Sequence, residues 1–175
     1  HIDIVGTIIL PLIGALFGGF FFGWAKPVPV NPRNLRSPKR DMMIIAGAGP
    51  IMNVICAAVI LLVYSLVENQ LGYPKTPEQY KIMNLLIIQS ARISIFLAVF
   101  NMLPVFPLDG FSVTYGLLPR RQAEIFGRSR QYGMMIFMII LFLPGFIGIY
   151  NPVFRLMGRL SYGIFKLIAE IVRLQ

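Results

Sequence analysis

The chain is poor in the residues that build most metal and redox centres. It has one cysteine, Cys56, and one histidine, His1. A single cysteine excludes an internal disulfide framework and every multi-cysteine zinc or iron–sulfur site. A single histidine excludes any centre that takes two histidines from these residues. Charge is scarce too. Asp, Glu, Lys and Arg make up 13% of the 175 residues, about half the usual share. Acid is the scarcer sign, with 7 Asp+Glu against 16 Lys+Arg. A soluble fold of this size could not cover its surface with so few charges. No period repeats along the chain, so collagen-like and linker compositions are excluded. The first residue is His and not Met, and no basic segment with a small-residue cleavage site opens the chain. We therefore read no signal peptide and expect a processed or recombinant product, or a fragment.

What is abundant is apolar. Hydrophobic residues reach 57%, mean hydropathy is +0.73, and this excludes disorder. The net charge of +9 suits nucleic acid or an anionic membrane surface. The long uncharged runs decide for the lipid bilayer and against nucleic acid.

Charges set the boundaries of four expected spans. Ile4 to Ala25 is uncharged over 22 residues, enough to cross a bilayer core at about 20 residues per helix. Pro11, Gly14, Gly18 and Gly19 predict a kinked, closely packed run, with Trp24 as an interface anchor. Lys26 to Asp41 then carries five basic residues, one acid and four prolines. It predicts an extended, polyproline-like connection, with a weak edge strand at Pro27–Val30. The second run, Met42 to Val67, has 26 uncharged residues. Its AGAGP stretch predicts a break, with the regular helix starting near Pro50. A charge-balanced loop, Glu68 to Lys81, follows. The third span, Met83 to Leu103, includes Arg92. A fourth run, Gln131 to Phe154, has 24 uncharged residues. After Arg155 the pattern is amphipathic. Arg155, Arg159, Tyr162, Lys166, Glu170 and Arg173 share one face, while Leu156, Leu160, Ile164, Leu167, Ile168 and Ile171 fall mostly opposite. That predicts a helix in the membrane interface, or a peripheral span packed on its neighbours. The basic loops 26–41 and 119–130 are expected on the cytoplasmic side and loop 68–81 outside. The expected fold is an all-α integral membrane protein of about four transmembrane helices plus a C-terminal amphipathic helix. It forms one membrane domain over residues 1–175.

Of the seven carboxylates, Asp109 stands apart. It lies in Pro104-Val105-Phe106-Pro107-Leu108-Asp109-Gly110, between apolar segments. An ionisable group at membrane depth points to function, and broken backbone at depth must be buried in protein or line a wet cavity. Asp109 is a candidate metal ligand, proton relay or ion-pair partner. The competing reading makes it a helix N-cap. Asn101, eight residues earlier, can donate hydrogen bonds to an oxyanion or simply join helices. Asn53 has the same two readings. Arg92 pairs with a carboxylate or snorkels. Cys56 reads as a small packing residue.

Three segments, FGWAKPVPVNP (Phe22–Pro32), AGAGPIMN (Ala46–Asn53) and FNMLPVFPLDG (Phe100–Gly110), fall in an order that resembles the site-2 protease family. These are intramembrane zinc metalloproteases, and the likeness is to the small bacterial and archaeal members without a PDZ domain. It covers roughly residues 1–118, leaving 119–175 as C-terminal helices. The resemblance implies a zinc endopeptidase that cuts membrane-spanning protein substrates in a prokaryotic cell membrane. It implies that Asp109 is the third zinc ligand and that Asn101 faces the active site as a catalytic residue. It also implies that Lys26 to Pro32 helps to position or gate substrate. The family's other two ligands and its general base come from an HExxH helix, which these 175 residues do not contain. We therefore expect an N-terminally truncated chain that binds no catalytic zinc tightly by itself. Two alternatives stay open: a non-catalytic pseudoprotease or binding subunit, and a small transporter with Asp109 as a proton or ion site.

Overall fold

The computed structural model describes residues 35–71 and 76–172. The chain divides at Arg36/Ser37 into two units, and every element below belongs to the second. The first expected span, the weak strand at Pro27–Val30, the Lys26–Pro32 segment and His1 lie outside the described residues.

The described residues are helical throughout their regular elements. Helix α1 is Pro38–Leu71, 34 residues long. Proline suits its first turn, and the Ser37 N–H donates to Asp41 Oδ2 at 3.0 Å. Helix α2, Pro77–Met83, opens with a capping box. Thr76 Oγ1 accepts from the Gln79 N–H, and Gln79 Oε1 accepts from the Thr76 N–H, both at 3.3 Å. A π-helical turn, Asn84–Ile88, joins it to α3, Gln89–Asn101. Then come α4, Asp109–Leu117, α5, Arg120–Arg128, α6, Arg130–Phe146, and α7, Pro152–Ile171.

Helix α1 packs along α3 and α4, and α7 packs along α3. The core lies where α1, the π turn, α3 and α7 meet. It holds Ala57, Leu61, Tyr64, Ile88, Ala91, Ile95 and Ile168. Alanines at 57 and 91 let the two long helices approach closely, as small residues do between helices in lipid. Polar groups at this junction are satisfied. Ser94 Oγ donates to the Asn53 carbonyl at 2.9 Å, and Ser65 Oγ donates to the Val172 carbonyl at 2.8 Å.

By length and composition, two helical stretches can cross a membrane, Pro38–Gln70 and Pro77–Asn101. A third is available if α5 and α6, bent by 62°, form one broken span. The described residues thus hold two helices, or three, long and apolar enough to cross a membrane, as expected of a membrane protein.

Three expectations are corrected. The AGAGP stretch does not break the second run, since α1 passes through Pro50 without interruption. In an apolar helix, neighbouring groups make up for the hydrogen bond that proline removes. The fourth run is not one helix. It ends at Phe146, turns through Gly148 at φ +68°, and restarts at Pro152. Asn151 fixes that restart: Oδ1 accepts from the Val153 and Phe154 N–H groups at 3.0 and 3.3 Å, and Nδ2 donates to the Ile140 carbonyl at 2.7 Å. Cys56 is exposed on α1; its neighbour Ala57 is the residue that enters the core. The C-terminal helix packs on its neighbours, with Met157 and Ile168 buried, and it is not among the described helices long and apolar enough to cross a membrane.

Candidate functional site

Asp109 sits where three elements converge. Helix α3 ends at Asn101, and the chain turns irregularly through Met102 to Leu108, with a cis peptide at Phe106–Pro107. Hydrogen bonds from the Val105 N–H to the Leu103 carbonyl (2.8 Å) and from the Leu108 N–H to the Val105 carbonyl (2.9 Å) hold this turn. Leu108 is buried and anchors it. Helix α4 then begins at Asp109 itself.

The N-cap reading of Asp109 fails. The cap position is Leu108, and no side-chain hydrogen bond caps α4. The carboxylate is half-buried and takes no hydrogen bond or ion pair from the described residues. Instead it lies against α1 at Gly49. A Cβ on Gly49 would stand 3.1 Å from Asp109 Oδ2, closer than ordinary van der Waals contact. The next residue, Gly110, is pressed onto the backbone of Met102 and Leu103, where any Cβ would collide. That contact brings the start of α4 onto the end of α3, which closes at Asn101. Asn101 is itself half-buried.

Beside this point the helices splay. An apolar groove of about 590 Å³ runs between α1, the end of α3 and α7. Pro50 and Val54 line one wall, Met102 and Leu103 a second, and Met157 and Leu160 a third. Pro50 follows Gly49 and Met102 follows Asn101, so the groove abuts the Asp109 site through adjacent residues.

Aromatic packing supports the turn from the other side. Phe106 meets Phe111 edge-on at 6.0 Å, and Phe111 stacks on Phe126 at 4.8 Å. The Arg130 guanidinium lies 4.9 Å from the Phe106 ring centre. Sequence reasoning missed this aromatic chain. Its phenylalanines are spread over loop, α4 and α5 and show no common period.

The other singled-out residues stand elsewhere. Asn53 accepts a hydrogen bond from Ser94 Oγ through its backbone carbonyl. Arg92 neither pairs with a described carboxylate nor lies free; its guanidinium sits 4.9 Å from the Phe165 ring centre on α7.

A catalytic zinc generally takes three protein ligands. Among the described residues no three His, Cys, Asp or Glu side chains come together. The donors among the described residues therefore do not make up such a set.

Comparison with known proteins bears on the same segment. Residues 75–144, which contain both Asn101 and Asp109, match the model of peptidase family M50. The chain is 28% identical over 150 residues to a Bacillus subtilis (strain 168) protein described as “Putative zinc metalloprotease YwhC”. That match covers 82% of this chain and 62% of the relative's own length. No solved structure matches the chain. Family match, relative and motif order all point the same way, to a likeness with peptidase family M50, the site-2 proteases.

Proposed function

We propose that this chain is part of a zinc-dependent intramembrane endopeptidase that cuts membrane-spanning protein substrates, with Asp109 as a zinc ligand. The observation that carries the reading is the placement of Asp109. A half-buried carboxylate without a protein partner among the described residues is held against the backbone of a long apolar helix. Structural carboxylates at such positions take caps or ion pairs; one kept free suits a cation. The remaining ligands and the general base are supplied by protein outside these 175 residues, as an HExxH helix supplies two histidines and a glutamate.

Bound zinc would supply a water whose pKa is lowered to about 7. The residues of this chain do the rest of the positioning. Asp109 provides negative charge from a turn that Gly110 and Leu108 lock in place. Asn101, at the adjoining helix end, offers its amide N–H groups to the oxyanion that forms on the scissile carbonyl. The Pro104–Leu108 turn breaks the helix, so backbone and water can meet there at a depth that otherwise admits neither.

The test is cleavage of a helical membrane substrate by the complete protein in liposomes. Cleavage should stop with a zinc chelator and with Asp109→Asn. Asn101→Ala should lower kcat by about 100-fold or more, the cost of one oxyanion donor, with little change in KM. Full cleavage by Asp109→Asn would remove Asp109 from the site. A metal-free protein that cleaves nothing would favour the pseudoprotease reading.

A further inference from the structure

Helix α5 is the least explained part of the molecule. It spans nine residues, Arg120–Arg128, about 13 Å at the α-helical rise, too short to cross a bilayer. Its axis turns 62° from α6, so the two cannot both follow the membrane normal. One side of α5 is committed inward. Ala123 is buried, and Phe126 stacks on Phe111. The opposite face carries Arg121, Ile125 and Arg128, spaced to lie in one line along a helix. All three are exposed, Ile125 by 67%.

That face holds cations without acids. Glu124 is the one acid of α5, and it lies 3.4 Å from Arg120. Arg130 is over Phe106. Arg121 and Arg128 have no ionic partner among the described residues. Lys39, at the start of α1, adds a further cation nearby: its Nζ donates to the Leu118 carbonyl and lies over the Tyr115 ring. Two unpaired guanidiniums flanking an exposed isoleucine, on a helix that turns away from its neighbouring span, fit a surface that is anionic above and apolar below.

We propose that the Arg121–Ile125–Arg128 face of α5 docks on the phosphate headgroups of anionic phospholipids, and that this contact steadies the turn bearing Asp109. The route is short. Phe126 on the inner face of α5 touches Phe111, two residues after Asp109, and Phe111 touches Phe106 within the turn. A lipid that fixes α5 fixes the aromatic wall of the site.

The experiment uses the complete protein and two lipids with the same acyl chains, phosphatidylglycerol and phosphatidylcholine. Binding is titrated by native mass spectrometry at low salt. Each arginine near an anionic surface contributes roughly fivefold in affinity. Arg121→Gln with Arg128→Gln should therefore weaken phosphatidylglycerol binding by roughly 25-fold. Phosphatidylcholine binding should not change, and the double lysine variant should restore the preference. Hydrogen exchange is then followed over residues 104–111 in nanodiscs. Phosphatidylglycerol should slow it in the wild type and not in Phe126→Ala, which still binds the lipid. Equal binding of the two lipids, or an unchanged double glutamine variant, overturns the docking site. Exchange over 104–111 that ignores phosphatidylglycerol in the wild type overturns the coupling.

Discussion

The two ends of the α1–α3–α7 bundle are built on different rules. At one end, around Leu61 and Ile95, side chains fill the space and both residues are fully buried. At the other, where α4 meets α1 and the end of α3, Gly110 lies on the backbone of Met102 and Leu103 and Gly49 lies against the Asp109 carboxylate. The filled end closes the three helices together; the bare end leaves a groove of about 590 Å³. On α1 the filled packing around Leu61 and the close glycine contacts around Gly49 thus lie at opposite ends of one helix. Side-chain packing gives rigidity that tolerates little loss of volume. Glycine contacts give close approach without filling, which a site needs if a substrate backbone is to come near. Substitutions should therefore hurt the two ends in opposite ways: removal of atoms at the first, addition at the second.

The largest effect expected is at the filled end. Leu61→Ala should cost about 3 kcal/mol, a central value for emptying a core leucine site, read as a lower unfolding temperature in detergent. Next is Gly110→Ala, which adds one methyl group and should still cost about 2 kcal/mol, because the obstructing atoms are the backbone of Met102 and Leu103 and cannot swing aside. If Gly110→Ala proves neutral while Leu61→Ala does not, the bare end is looser than its contacts imply. Asn151→Ala should follow at about 1 kcal/mol. It removes the cap of α7 and the bond to the Ile140 carbonyl, and that cost should appear at neither end of the bundle. Gly49→Ala should be the mildest for stability, under about 1 kcal/mol, since the Asp109 side chain can give by a few tenths of an ångström. Its consequence belongs to the site: zinc affinity of the complete protein should fall about tenfold, as when a group that orients a ligand is altered. A stable Gly49→Ala protein with unchanged zinc affinity would separate Gly49 from the site.

Much of this is legible from residue order. The TPEQ start of α2 is a capping signal that the charge pattern passes over: the segment expected as a loop to Lys81 holds a helix from Pro77, and Thr76 and Gln79 make both cap hydrogen bonds. Asp109 is conspicuous as a carboxylate between apolar segments, and the structure leaves it free of a cap. What local reading misses is decided by tertiary contact. Gly47 and Gly49 look like helix breakers beside Pro50, yet α1 continues. A Cβ on Gly47 would touch Val113, and one on Gly49 would crowd Asp109. These glycines are where α4 presses on α1, and packing outweighs propensity. The break after Phe146 is similarly hidden. Gly148 and Asn151 carry it, within a run whose lack of charge reads as one span. The groove is invisible in sequence because its walls come from three helices far apart along the chain.

Arg92 offers a finer probe of the same contrast. It leans on Phe165 of α7 and belongs to neither end's packing. Its cation–π contact is worth about 1 kcal/mol, which an apolar replacement offsets by removing a charge from the span. Arg92→Met should therefore shift stability by less than about 1 kcal/mol. A large loss would show that Arg92 has an anionic partner outside the described residues.

Whether Asp109 is a zinc ligand is decided by the metal content of the complete protein. It should be purified from its membrane, wild type beside Asp109→Ala, with helicity and unfolding temperature matched between the two. The account predicts about one zinc per wild-type chain and a small fraction of that in the variant. Equal zinc in two equally folded proteins would contradict it.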